Sequence, residues 1–154
     1  MIVKIRKVVK KRIKIVQSVA AQQYELGARL TDKNYPSLEL VRLEKLFLKS
    51  TGKEILEYGF GSGVNTIHLL KCGYKVTGID VARYNKVKLR KKLNSSQKKS
   101  LKLDILASSS HCLPYKKNSF DHIVAMSVIS LLGNENSVNK LLNEFVRVLK
   151  PNGK

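Results

Sequence analysis

A glycine-rich turn between an apolar run and an amphipathic run constrains this chain more than any other feature. Residues 54–63 read EILEYGFGSG, and VNTIHLL follows. The pattern predicts a buried strand, a tight turn and a helix, because glycine reaches positive φ angles and lets the backbone approach a ligand closely. The free N–H groups of the helix, expected to start near Ser62, would face that ligand. The sequence therefore predicts a ligand site at this turn.

The spacing of the glycines separates two classes of ligand. A dinucleotide fingerprint is G-x-G-x-x-G, but Gly63 comes one residue early and Val64 occupies the last position. Glu57 closes the strand, and an acidic group there disfavours an anionic pyrophosphate but suits a ligand with cationic or hydroxyl groups. An NAD-dependent oxidoreductase is therefore disfavoured, while a turn that binds no ligand stays open.

The E-x-G-x-G-x-G spacing resembles motif I of the class I S-adenosylmethionine-dependent methyltransferases. The resemblance implies that S-adenosyl-L-methionine is the cofactor and that Glu57 lies near its methionyl end. It also implies that the turn lines the cofactor through Gly59, Phe60, Gly61 and Gly63.

Further polar residues close the following strands. Asp80 ends YKVTGI, one strand-helix-strand unit after the turn, where a carboxylate can accept both ribose hydroxyls and can also cap the next helix. Asp104 ends LKL, and the resemblance implies that it accepts from the adenine amino group while the Ile105 N–H meets the ring. Ser127, at the end of the fourth strand, is expected at the edge that faces the sulfonium.

Two later segments extend the resemblance over residues 35–154. LPY and NSFD, before a strand expected over 122–126, resemble the family's entry to strand four, with Asp121 as a structural residue. EFVRVLKPNG resembles the family's E-x-x-R-V-L-K-P-G-G helix exit, with Asn152 in place of a glycine. The helix before it shows one apolar stripe at helical spacing, formed by Val138, Leu141, Leu142, Phe145, Val146 and Leu149.

These motifs predict an α/β fold, a Rossmann-like parallel sheet with helices on both faces and strand order 3-2-1-4. Strands five to seven of the family are missing, so the fourth strand would be an open edge. Residues 1–19 have apolar residues at helical spacing and predict a basic amphipathic helix. Either the chain is truncated or is a fragment, or this edge is covered by a partner chain or by that N-terminal helix. The domain boundary is placed between a basic amphipathic segment, residues 1–34, and a partial cofactor-binding domain, residues 35–154.

Charge and hydropathy suggest partners and location. Thirty Lys and Arg against 11 Asp and Glu give a net charge of +19, and two acid-free basic stretches, residues 1–19 and 83–102, contribute much of it. RNA or another polyanion is a possible partner, and a solvated lysine-rich surface is the alternative. No run resembles a signal peptide or a transmembrane segment, so the expected location is cytoplasmic.

The sequence identifies no catalytic residue and no set of metal ligands. Cys72 and Cys112 are expected to be reduced structural thiols, without histidines at metal-ligand spacing, although His111 adjoins Cys112. No metal is expected. Because a sulfonium is already activated, no general base is required and no catalytic residue is named. The predicted function is methyl transfer to an unidentified acceptor. The alternative is a non-catalytic module of the same fold that binds S-adenosylmethionine, a partner chain or RNA. Such a module would be inactive because the C-terminal strands are absent.

Overall fold

The computed structural model describes residues 22–30, 32–48, 52–106 and 112–154. The helices are α1 (22–30), α2 (Leu38–Leu43), α3 (Val64–Lys71), α4 (Arg83–Lys92), α5 (Ser95–Lys99) and α6 (Glu135–Val148). The strands are β1 (Glu54–Tyr58), β2 (Lys75–Asp80), β3 (Leu101–Ile105) and β4 (His122–Val124). A π-helical turn, Glu44–Leu48, follows α2, and a 3-10 turn, Ile129–Leu132, precedes α6. The predicted helix of residues 1–19 lies outside the described residues.

The four strands form one parallel sheet in the order β3-β2-β1-β4. This order confirms the predicted 3-2-1-4 arrangement. In a parallel sheet all carboxyl ends lie at one edge, and Tyr58 of β1 pairs with Ile79 of β2. The glycine turn after β1 and Asp80 at the end of β2 are therefore neighbours.

Each face of the sheet has its own apolar core. Ile55 packs in a cluster with residues of α2, α3 and α4, among them Leu69 and Leu89. Leu56, the next residue of β1, belongs to a second cluster with Leu141 and Val148 of α6. Successive side chains of a strand point to opposite faces, so the two clusters confirm helices on both faces.

The predicted stripe on α6 is only partly correct. Leu141 is fully buried and Phe145 packs edge-to-face on the Tyr58 ring at 5.4 Å. Val148, which was not predicted, is also fully buried, whereas Val146 is 74% exposed. The residues of α6 that contact the sheet are Leu141, Phe145 and Val148, at positions i, i+4 and i+7 of the helix. This contact is too narrow to include Val146, which lies beside it on the helix surface. Apolar periodicity alone overestimated the width of this contact.

Strand β4 is shorter than predicted and its outer edge is partly paired. It ends at Val124, and Ser127 has a φ of 57°. The Ile123 N–H donates to the Lys154 carbonyl at 2.8 Å, and the Lys154 N–H donates to the Asp121 carbonyl at 3.1 Å. The segment after α6 therefore covers the beginning of the edge that was expected to be open.

Asp121 joins three parts of the chain. Its Oδ2 accepts from the backbone N–H groups of Lys53 at 3.0 Å and Glu54 at 2.9 Å, where β1 begins. Its Oδ1 accepts from Lys150 Nζ at 2.8 Å. These contacts support the predicted structural role. None of the helices in the described ranges is long and apolar enough to cross a membrane.

Candidate functional site

A cavity of about 390 Å³ lies at the carboxyl ends of β1, β2 and β4. The sheet side of the lining comprises residues 58–62, 64, 65, 79–82, 85, 106, 126–128, 131 and 132. The opposite side comprises residues 23, 24, 27, 28 and 33. We call the described residues between 22 and 33 the N-terminal cover.

The structure brings together five of the predicted site residues. Gly59, Phe60, Gly61, Asp80 and Ser127 all line the cavity. The other predicted site residues lie outside the lining: Glu57, Gly63, Asp104 and Ile105.

Gly59 and Gly61 shape the turn for different physical reasons. Both have positive φ angles, 76° and 50°. A Cβ atom on Gly59 would lie 2.8 Å from a methyl group of Val128, so the turn packs closely there. A Cβ atom on Gly61 would meet no protein atom within 4 Å, although the residue lines the cavity. The backbone of Gly61 therefore faces open space that a side chain would fill.

Gly63 has a packing role in this structure. It is the N-cap of α3 with a φ of 81°, so the helix begins at Val64, later than predicted. A Cβ atom on Gly63 would collide with the side chain of Leu89, which is fully buried on α4. The third glycine thus lets α4 pack against the turn. Its predicted contact with a cofactor stays a prediction.

The Asp80 carboxylate lies at the floor of the cavity and accepts hydrogen bonds from three protein donors. Its Oδ2 accepts from the Gly61 N–H at 2.8 Å, and its Oδ1 accepts from the Ala82 N–H at 2.8 Å and from Asn85 Nδ2 at 3.2 Å. The residue is 8% exposed. An ionised carboxylate has about four acceptor positions, so about one remains for a ligand. Binding both ribose hydroxyls would require one of the protein donors to give up its bond.

Glu57 lies beneath the turn and outside the cavity lining. It is 2% exposed, and its Oε2 accepts from the Thr66 hydroxyl on α3. Burial, with a smaller contribution from the charge of Asp80, raises its pKa to about 8 despite the Thr66 hydrogen bond. The carboxyl group is therefore largely protonated at neutral pH. Its predicted place near the methionyl end of a cofactor stays a prediction.

The raised pKa of Glu57 makes stability depend on pH. The folded state holds this proton up to pH about 8, whereas the unfolded chain releases it near the ordinary value of 4.5. The folded state thus binds more protons between these values, and stability should fall as pH rises, by up to about 1.4 kcal/mol per pH unit. Glu57→Gln should remove this dependence. Urea unfolding at pH 5 and pH 8 would show it, and a wild-type-minus-variant difference equal at both pH values would contradict it.

Asp104 and Ile105 end β3 outside the lining. The Tyr115 hydroxyl donates to Asp104 Oδ2 at 3.0 Å, and Lys102 Nζ lies 3.2 Å from the same oxygen. The next residue, Leu106, does line the cavity, and its N–H donates to the Asp80 carbonyl at 2.9 Å. The predicted contacts of Asp104 and Ile105 with adenine stay predictions.

Sequence reasoning missed several lining residues. Asn85 is 8% exposed and donates to Asp80, and its place in the first turn of the following helix was a usable signal. Met126 and Val128 were read as strand or left unassigned, but both line the cavity beside Ser127. A left-handed backbone at a non-glycine residue costs about 1–2 kcal/mol and is common where side chains are arranged for function. No sequence signal marks this conformation at Ser127.

The N-terminal cover is attached to α4 by polar contacts. The Glu25 carboxylate accepts from the backbone N–H groups of the first two residues of α4. Asp32 forms ion pairs with Lys88 at 3.5 Å and with Lys92 at 2.8 Å. Tyr24 lines the cavity from this side. The cover therefore belongs to the candidate site, whereas the predicted boundary at residue 34 stays a prediction.

Comparisons with known proteins place this geometry in a wider context. The family model described as a methyltransferase domain matches residues 56–154. Demethylmenaquinone methyltransferase of Tropheryma whipplei (strain Twist) is 29% identical over 110 residues, which cover 71% of this chain and 43% of that protein. The S-adenosyl-L-methionine-dependent Diels-Alderase iccD of Talaromyces variabilis is 32% identical over 111 residues, covering 67% of this chain and 35% of that protein. The chain thus spans less than half the length of these relatives.

A solved structure supports the same fold. The glycopeptide N-methyltransferase MtfA, complexed with S-adenosyl-L-methionine, matches with a TM-score of 0.66 at 18% identity. The match covers 79% of this chain and 54% of that one. At this identity the similarity concerns the fold alone.

Proposed function

The chain belongs to the methyltransferase domain family, whose Rossmann-like members use S-adenosylmethionine, and we propose that the chain binds this cofactor in the cavity. We propose further that the methyl group of the bound cofactor is transferred to an acceptor. One observation carries the proposal. The open backbone at Gly61 faces the same cavity as the carboxylate of Asp80. The two features occur at the strand ends where the family motifs had predicted the cofactor.

The cavity fits a nucleoside-containing cofactor in size and chemistry. Small-molecule sites are concave, about 300–1,000 Å³ in volume, and mostly apolar with a few well-placed polar groups. This cavity has a volume of about 390 Å³, with apolar residues such as Leu106 and Met126 and polar groups from Asp80 and Asn85. Asp80 has about one acceptor position left, which a ribose hydroxyl would fill. Gly61 would let the cofactor lie against the main chain.

The residues of this chain would act by positioning. The bound cofactor supplies a methyl group on a sulfonium that is already activated towards a nucleophile. The turn and Asp80 hold one side of the site, and the N-terminal cover, through Tyr24 and Ala28, limits access of water from the other. Holding two reactants in line contributes at most about 7–11 kcal/mol. We assign no general base among the described residues.

The acceptor is a separate question. One relative is named for methylation of demethylmenaquinone, and another is named a Diels-Alderase that depends on S-adenosylmethionine. Cofactor binding and methyl transfer therefore need separate assays. We propose methyl transfer, because the family model and the first of these relatives are both described by that activity. The comparisons do not favour a non-catalytic module.

Other partners remain predictions. Lys91, Lys98 and Lys99 are exposed on α4 and α5 and could contact RNA or another polyanion. Lys92 is already paired with Asp32, so it is a weaker candidate. A partner chain at the remaining edge of β4 and a cytoplasmic location also stay predictions.

Two glycine substitutions test cofactor binding. Gly61 and Gly73 both have positive φ angles and room for a Cβ atom, but only Gly61 lines the cavity. Alanine should therefore destabilise the fold similarly at both positions, by about 1–2 kcal/mol. Gly61→Ala should weaken S-adenosylmethionine binding at least about tenfold, because its methyl group occupies ligand space. Calorimetry would show equal affinities for both variants if the cofactor does not bind against Gly61.

A further inference from the structure

Three side chains with metal-binding atoms meet away from the cavity. Helix α3 starts beside the glycine turn and ends at the opposite edge of the sheet, where β2 begins. At that edge Glu44, His68 and Cys72 each offer one ligand atom, and these atoms all lie within 4.8 Å of one another. The group has no part in the proposed cofactor site.

His68 and Cys72 have the separation of a metal-binding pair. They are four residues apart on α3 and therefore lie on the same face of the helix. Cys72 Sγ is 3.7 Å from His68 Nε2. A tetrahedral zinc ion, with Zn–S of about 2.3 Å and Zn–N of about 2.0–2.1 Å, would place these two atoms roughly 3.6 Å apart. The sequence predicted no histidine at metal-ligand spacing from either cysteine, but His68 lies one helical turn before Cys72.

Glu44 supplies an oriented carboxylate from a separate element. It lies in the π-helical turn after α2 and is 5% exposed. The Tyr74 hydroxyl donates to Glu44 Oε1 at 3.0 Å. Hydrogen bonds of this kind orient a ligating carboxylate and leave its other oxygen for the metal.

We propose that Glu44, His68 and Cys72 form a binding site for a zinc-class divalent cation with a fourth position open to solvent. A thiolate and an imidazole favour zinc over magnesium or calcium, which prefer oxygen ligands. The exposed Cys72 lets an ion enter, and its thiol proton leaves to solvent when the sulfur coordinates. The ion would tie the π-helical turn to the end of α3, so it would stabilise the folded chain in proportion to its occupancy.

Cobalt and zinc binding to the tag-free, reduced protein test this proposal. One Co²⁺ per chain should bind and give a thiolate-to-cobalt charge-transfer band in the near ultraviolet. Cys72→Ser should abolish this band, whereas Cys112→Ser, the matched change at the other exposed cysteine, should keep it. Loss of an orienting partner weakens metal binding about 10–100-fold, so Tyr74→Phe should fall in that range and His68→Gln should lose at least about 100-fold.

Several results would overturn the proposal. These are the absence of a charge-transfer band in wild-type protein, equal losses for Cys72→Ser and Cys112→Ser, or unchanged Zn²⁺ affinity in His68→Gln measured by competition with a chromogenic chelator. Thermal melts without metal verify that each variant is folded. Glu44→Gln keeps the shape of this buried side chain and should also weaken Zn²⁺ binding.

Discussion

Replacing Asp80 with alanine should weaken S-adenosylmethionine binding by about 1.5–3 kcal/mol, or roughly 10- to 150-fold. The carboxylate lines the cavity and has about one acceptor position free for a ligand hydroxyl. The same change should also lower the stability of the unliganded chain. The donors of Gly61, Ala82 and Asn85 lose their acceptor, and each one that stays buried costs about 1–3 kcal/mol. Calorimetry and urea unfolding measure the two effects separately.

Asp104→Ala is the informative comparison. Asp104 also ends a parallel strand, but its carboxylate is bound to Tyr115 and Lys102 outside the cavity lining. If the lining describes the cofactor site, this variant should keep nearly wild-type affinity. An equal loss for both variants would instead restore the predicted adenine contact of Asp104. A folded Asp80→Ala protein with unchanged affinity would remove Asp80 from the site.

Replacing Gly63 with alanine should destabilise the fold by about 2–5 kcal/mol. Left-handed backbone at a non-glycine residue accounts for about 1–2 kcal/mol. The remaining cost, about 1–3 kcal/mol, comes from overpacking, because the new methyl group collides with the buried Leu89. Urea unfolding measures the loss.

Gly133→Ala provides the matched control for Gly63. Gly133 has a φ of 76°, close to the 81° of Gly63, but a Cβ atom there meets nothing within 4 Å. The control should therefore show the backbone cost without the overpacking. If both variants lose the same stability, Leu89 adjusts freely and the close packing of α4 on the turn has no energetic importance.

The sheet could be predicted because each strand has a local signature. β1 and β2 are short segments with apolar residues, Ile55-Leu56 in β1 and Val76 and Ile79 in β2, and they end on Tyr58 and Asp80. The motifs at residues 113–121 and 144–153 have fixed positions in the family. Strand order follows from the family resemblance and was confirmed by the structure. Strand ends were less certain, since β4 stops two residues before the apolar run does.

Side-chain roles around the turn could not be predicted in the same way. Gly59, Gly61 and Gly63 look equivalent in the sequence, but only contacts with other elements distinguish them: Val128 beside the first, open cavity beside the second, Leu89 beside the third. The raised pKa of Glu57 depends on complete burial beneath α3. The approach of Glu44 to His68 and Cys72 joins positions far apart in the chain, so no local pattern reports it.

The polar attachment of the N-terminal cover determines how a ligand could enter and leave. The outward side chains Leu26 and Leu30 are 57% and 76% exposed, whereas Ala28 is buried, so the buried apolar contact of the cover is made by a small side chain. The carboxylates of Glu25 and Asp32 also hold it, through hydrogen bonds from backbone N–H groups and through exposed ion pairs, which contribute little to stability. Such contacts are screened by salt over about 8–10 Å. We therefore expect the residence time of a molecule beneath the cover to depend on ionic strength, whereas the apolar packing of the sheet should not depend on it.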